Sequence, residues 1–270
     1  MRYIKEFFRF LKHIYSSREL LLTLIKNDFR KQYLGSYLGL LWAFIQPLTF
    51  IVVIWFVFEI GFRAGPTTDG TPFFLYLTTG MIPWFFISSA FTSGTNSIVA
   101  NSFLVKKVSF RVSILPLVQI GSALIIHLAL VGFLIGAFLL YGYMPTIYWL
   151  QLPFYMLCSI VLLLGLSWLT SAIRVFVKDV GNFIGVLMQI GFWATPIFWS
   201  IDMIPASYQW ILKLNPAFYI VDGYRNTFIY GSWFWEHQNI TLYYSGLTLF
   251  CLVFGAIVFK RLRPHFGDVL

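Results

Sequence analysis

The side chains able to do covalent or metal chemistry are few in this chain, and their spacing works against it. The four histidines, His13, His127, His237 and His265, lie far apart, and none stands near another at the spacing that metal ligands need. His127 falls inside a long apolar run. An ionisable group there is a functional candidate by default, and a histidine hydrogen-bonded to a neighbouring helix is the plainer reading. Cys158 and Cys251 also fall inside apolar runs, so no disulfide framework is expected and the redox compartment stays open. No Gly-rich loop closes with Gly-Lys-Ser or Gly-Lys-Thr, so the usual cradle for ATP phosphates is missing. The apolar runs are nearly free of Asp and Glu, which removes the acid chain of a proton-driven pump. The remaining acids are scattered, against the clustering that a membrane-embedded glycosyl- or acyltransferase would need. No catalytic residue and no metal site are therefore assigned, and energy for any transport has to come from a partner.

What the chain does organise is charge. Of its nineteen Lys and Arg, sixteen fall in four short segments: the first 37 residues, 97–114, 174–179 and 260–270. With the five acids in those segments they leave +11 on one side. The three basic residues elsewhere, Arg63, Lys213 and Arg225, face five acids and leave −2. Long apolar runs separate the basic segments. Runs of about 20 apolar residues span a bilayer core, and basic residues gathered at alternate ends of such runs mark the cytoplasmic side. Composition agrees: 59% of residues are apolar and 11% charged, against about 25% charged in soluble domains. The basic balance is thus explained by topology, and no nucleic-acid partner is needed.

The fold class expected is an all-α integral membrane protein of six transmembrane helices, in one domain over residues 1–270. Residues 1–36 read as a cytoplasmic amphipathic helix, with Phe7, Phe8, Phe10, Leu11 and Ile14 on one side and Lys5, Arg9 and Lys12 towards the other. Such a helix lies in the membrane interface, or else packs as a soluble helix. Its charges run throughout, unlike a cleavable signal. The spans are placed at 37–62, 73–95, 115–141, 149–173, 180–199 and 243–259, and residues 260–270 form a cytoplasmic tail. An even count sets both termini in the cytoplasm. Glu59 and Arg63 stand at ion-pair spacing. Gly80 with Pro83, and Thr195-Pro196, are expected to interrupt the second and fifth spans, as hinges or as static kinks. The stretch 200–242 is too polar to span and too aromatic for a solvated loop. Short re-entrant helices suit it, since irregular backbone at depth survives where protein satisfies it.

One segment is more specific than hydropathy: Asn27–Trp42 (NDFRKQYLGSYLGLLW), ending in Gln46-Pro47. It resembles the entry to the first span in type-2 ABC exporter permeases of bacterial surface polysaccharides. Asn101–Pro116 (NSFLVKKVSFRVSILP) resembles that family's cytoplasmic loop after the second span. Leu214-Asn215-Pro216 with Tyr224-Arg225, and Arg174 with Lys178-Asp179, are similar to its other loops. Within the family, Trp55–Phe58 leading to Arg63, Asp69-Gly70 with Pro72-Phe73, Trp84–Ile87, Tyr219–Arg225 (YIVDGYR) and the tail His265-Phe266 with Asp268 look closest to teichoic acid translocation permeases. Lipopolysaccharide O-antigen permeases share the frame.

The resemblance implies a homodimer bound to two copies of a separate ABC ATPase, which alone carries ATP and Mg, with no cofactor in this chain. The cargo implied is an anionic glycopolymer on a polyprenyl diphosphate lipid, and the location is the bacterial cytoplasmic membrane. It also implies a coupling helix within 102–111, where Phe103, Lys106, Lys107, Phe110 and Arg111 would meet the ATPase. Contact with anionic membrane lipid is the competing explanation for that segment. Lys26, Arg30 and Lys31 offer a second contact, with the same competitor. Trp42, Phe85, Phe86, Phe192, Trp193 and Phe198 are candidate walls of a substrate path, because aromatic faces slide along sugars and polyols; facing lipid is the ordinary alternative. Arg63 and Arg225 are candidates for phosphate, unless Glu59 and Asp222 occupy them.

Overall fold

The computed structural model describes residues 18–33, 38–63, 70–106 and 110–270, and every regular element among them is helical. Five helices are long and apolar enough to cross a membrane: Leu41–Gly61, Phe73–Ala100, Val112–Leu140, Ile147–Phe176 and Gln238–Val269. A sixth apolar helix, Val180–Ala194, is shorter. These are called spans 1, 2, 3, 4, 6 and 5 in that order. The bundle has a basic end, where Lys106, Arg111, Arg174 and Lys260 fall, and an opposite end.

Span 2 is the central post. Its 28 residues cover about 42 Å at 1.5 Å each, and most of its apolar stretch is buried inside the chain. Of the kink or break expected at Gly80 and Pro83, the break is absent, since one helix runs through both. Gly80 has a packing reason instead. A Cβ there would stand 2.9 Å from the Ile197 carbonyl oxygen and 3.2 Å from Arg225 Nη2, so only glycine admits that backbone. Span 2 meets span 4 through the Thr95 and Thr170 hydroxyls, 2.8 Å apart. Spans 4 and 6 cross at Gly165 and Gly255, where a Cβ on either would strike the other helix's backbone. Small residues at such crossings let membrane helices approach closely.

Span 1 is the outlier, with little of its surface buried by the rest of the chain. It runs as an α-helix to Trp55 and ends in a π-helical turn, Phe56–Gly61. There the Trp55 indole donates to the Glu59 carboxylate. Glu59 is therefore engaged one turn back, and no ion pair joins it to Arg63 among the described residues. Arg63 sits just past the helix at φ 54°, the left-handed conformation that ends helices.

Span 5 departs most from expectation. Its 15 residues cover about 22 Å, short of a core about 30 Å thick. The helix stops because Pro196 has no N–H to continue it. Thr195, Ile197 and Phe198 follow as buried, non-helical backbone. Short helices come next, as expected for 200–242: Ile201–Met203, Ala206–Lys213 and Pro216–Arg225, the last continued by a π-helical turn over Asn226–Tyr230. The helix from Pro216 is re-entrant. Asn215 caps it by accepting from the Ala217 N–H at 3.0 Å, Pro216 opens it, and Gly231 at φ 63° turns the chain out.

At the basic end, Arg18–Tyr33 forms the described part of the amphipathic helix, while its first 17 residues lie outside the described set. Besides any interfacial role, the helix is tied to span 3. Gln119 Nε2 donates to Asp28 at 2.7 Å, and the Ser122 hydroxyl donates to the Ile25 carbonyl at 3.3 Å. A second apolar cluster lies at this end around Val112, Trp168, Val175, Phe259 and Phe266. It folds the tail residue Phe266, 1% exposed, under the bundle.

Candidate substrate groove and coupling surface

A groove of about 1140 Å³ opens along spans 1, 2, 3 and 5. Gln32 of the N-terminal helix lines it, which brings the groove to the basic end. Its aromatic walls come from three spans. Trp42 and Phe50 stand on span 1, Trp84, Phe85 and Phe86 on span 2, and Phe192 and Trp193 on span 5. Phe50 meets Phe85 edge-on at 6.2 Å and Phe192 at 5.7 Å, so rings of spans 1, 2 and 5 touch across it. Five of the six aromatic residues picked from the sequence line this groove. The sixth, Phe198, stands beyond them in a ring cluster. Its centroid lies 5.0 Å from Phe58, 5.6 Å from Phe192 and 5.2 Å from Trp193.

Between the rings the wall is polar and uncharged. Span 2 contributes Ser88, Ser89, Thr92 and Ser93, span 1 Gln46 and Thr49, and span 5 Gln189. No Asp, Glu, Lys or Arg is among the described lining residues. None of this polar set is among the residues expected from the sequence, although positions 88, 89, 92 and 93 share one helical face, a pattern visible in the sequence. His127 also lines the groove. Its ring stacks on Phe86 at 4.6 Å, and its Nε2 lies 2.7 Å from the Tyr224 hydroxyl on the re-entrant helix. The helix-bonded reading of this histidine is thus the one seen, with a place in the groove wall added.

The two candidate phosphate residues lie elsewhere. Arg63 is exposed just beyond span 1. Arg225 is buried, 3% exposed. Its Nη2 donates to the Ile197 carbonyl at 2.7 Å, and its guanidinium lies 3.8 Å over the Tyr76 ring. No ion pair joins it to Asp222 among the described residues. In this arrangement Arg225 satisfies backbone and faces no open path. Asp222 accepts from Asn226 at 3.4 Å. Burial pushes its carboxyl above the ordinary value, and the Arg225, His237 and Lys213 charges offset this only in part.

At the basic end, the segment after span 2 forms a short helix, Ser102–Val105. Leu104, Val105 and Phe110 pack against the second apolar cluster, whereas Phe103, Lys106 and Arg111 are exposed. Phe110, expected to face a partner, is half-buried, part of it packed against this cluster. Lys107 lies outside the described residues. The Trp168 indole donates to the Ser113 carbonyl at 3.0 Å, which fastens the segment's exit to span 4. Lys26, Arg30 and Lys31 are exposed on the N-terminal helix. The last two occupy its final turn, where cations suit the helix dipole.

Residues 19–229 match the family described as ABC-2 type transporter. The O-antigen export system permease protein RfbA of Klebsiella pneumoniae is 28% identical, with 93% of this chain and 95% of that protein covered. Its namesake in Myxococcus xanthus is 26% identical, with 96% and 98% covered. The polysialic acid transport protein KpsM of Escherichia coli is 22% identical over 90% and 93%.

Proposed function

Because this chain belongs to the ABC-2 type transporter family, we propose that it is the membrane subunit of an ATP-driven exporter of a polyprenyl-diphosphate-linked surface polysaccharide. The observation that carries this reading is the groove. It runs from the basic, cytoplasmic end between spans 1 and 5 and offers ring faces with hydroxyl and amide groups. Sugars and polyols slide over such a surface without a fixed register. Acids in the wall would repel phosphodiesters and cations would trap them, and the described lining has neither.

The cargo proposed first is wall teichoic acid, on the strength of the Trp55–Arg63, Trp84–Ile87 and Tyr219–Arg225 stretches. The second reading is an O-antigen or capsular polysaccharide, favoured by what the relatives are named for. The chain has no phosphate loop, so hydrolysis falls to two copies of a separate ATPase, which hold ATP and Mg. The exposed Phe103, Lys106 and Arg111 form the contact with it, and Lys26, Arg30 and Lys31 add a second. A second copy of this chain completes the path, which gives the little-packed span 1 a partner. Both termini then lie in the cytoplasm. The test is the ATPase rate of the assembled complex with lipid-linked teichoic acid and, separately, with a lipid-linked neutral glycan. A response to neither would end the exporter reading, and a response to the second alone would move the cargo to the O-antigen type.

A further inference from the structure

The re-entrant helix is fastened to the spans by a small set of polar contacts. Asn215 Nδ2 donates to the Thr195 hydroxyl at 2.8 Å, and the Tyr219 and Thr241 hydroxyls lie 3.2 Å apart. Arg225 holds the Ile197 carbonyl, and Gln151 Nε2 donates to the Ser232 carbonyl at 2.8 Å just past the helix. The fifth contact is His127 with Tyr224. Of these five partners, His127 alone is also among the residues that line the groove.

Its hold is of a kind that occupancy can disturb. Among the described residues, His127 Nδ1 has no hydrogen-bond partner. One polar contact and the stack on Phe86 therefore set the ring's position. Phe86 also faces the groove, so a sugar lodged there presses on the Phe86–His127 stack. Hydrogen bonds weaken steeply with misalignment, and a small displacement of the imidazole releases the Tyr224 hydroxyl.

What Tyr224 releases lies back at the groove. Its neighbour Arg225 holds Ile197, next to Phe198, whose ring is packed on Phe58, Phe192 and Trp193. Phe192 and Trp193 line the groove, and Phe58 and Phe198 pack beside them at the end away from the basic segments.

We propose that His127 is a positioning residue for transport: paired with Tyr224, it latches the re-entrant helix, and through Arg225 it keeps the Phe198 ring cluster shut until polymer enters the groove. The latch rests on the structure alone, and its release by polymer rests on the exporter reading.

Backbone hydrogen exchange over residues 216–230 tests both parts, since local opening is what exchange reports. The complex with its ATPase is compared as wild type, Tyr224→Phe and Thr95→Val; the last removes a buried hydroxyl contact between spans 2 and 4. Tyr224→Phe is expected to speed exchange in 216–230 at least tenfold, and Thr95→Val to leave that segment unchanged. Lipid-linked teichoic acid is expected to speed the segment in wild type and to add nothing in Tyr224→Phe. Wild-type exchange in Tyr224→Phe, or equal loosening by Thr95→Val, would overturn the latch. A polymer that stimulates the ATPase while leaving wild-type exchange unchanged would overturn the link between groove and helix. If teichoic acid leaves the ATPase unchanged, the lipid-linked neutral glycan replaces it in the same comparison; no effect of either polymer would count against the exporter reading, and the variant comparison would still decide the latch.

Discussion

The Arg225 guanidinium donates to the carbonyl of Ile197, 28 residues earlier, at 2.7 Å, and so supplies a hydrogen bond to the backbone that Pro196 leaves irregular. Non-helical backbone at membrane depth persists only where protein or water satisfies it. Arg225→Ala should therefore strand a buried carbonyl, at about 1–3 kcal/mol, and lower the melting temperature in detergent. Arg225→Lys should recover part of that loss, because an ammonium reaches the carbonyl but lacks the planar face that lies over Tyr76. Unchanged melting in both variants, with export abolished, would return this arginine to a substrate role.

Gly80 is the other side of the same contact. Gly80→Val should overpack the approach of Ile197 and cost about 1–3 kcal/mol, seen as reduced folded yield and a lower melting temperature. Gly136→Ala, with open space around its Cβ, should be neutral. Equal behaviour of the two would mean that the close approach carries no weight.

The uncharged groove wall makes a sharp expectation for substrate. Ser89→Asp places a carboxylate in the wall and should reduce stimulation of the ATPase by an anionic polymer at least tenfold, through like-charge repulsion. Ser89→Ala should change it less than twofold. The measurement is stimulated against basal turnover in proteoliposomes, and a loss shared by Ser89→Ala would assign the effect to shape.

Coupling should be separable from folding. Lys106→Glu with Arg111→Glu reverses two exposed charges on the segment after span 2, and surface changes of this kind cost little stability. The double variant is expected to purify intact and to recover several-fold less ATPase. Full recovery of the partner would favour lipid as the ligand of these residues.

Asp222 carries a pH signature. Burial raises its carboxyl on folding, so the stability it contributes is complete below its unfolded value and is lost as pH rises through the folded one. Asp222→Asn should raise the melting temperature at neutral pH and flatten its decline from acid to neutral. A parallel pH profile in the variant would show that the carboxyl is not held up.

How far the sequence could be read depended on whether a feature was local. The sorting of Lys and Arg by side, with apolar runs between, marked the spans because both signals are written residue by residue. The ring positions Trp42, Phe85, Phe86, Phe192 and Trp193 could be named as wall candidates because aromatic faces suit sugars and polyols, and the fold places all five along the groove. Arg225 was not. Its nearest acid in sequence is Asp222, but its partner is a carbonyl 28 residues away, exposed by a break whose hydrogen-bond needs show only in three dimensions. Gly80 read as a weak point of span 2 for a similar reason, since the chain it admits comes from span 5. His127 could be judged as helix-bonded, while its place between groove and re-entrant helix needed the fold.

The central claim is that this chain works as the membrane half of an ATP-driven exporter, and its most direct test is to solubilise it gently from native membranes and measure the ATPase activity that accompanies it. The expected result is a stoichiometric nucleotide-binding partner whose turnover rises with lipid-linked teichoic acid. A chain that purifies without such a partner, or with one indifferent to any lipid-linked polymer, would contradict the account.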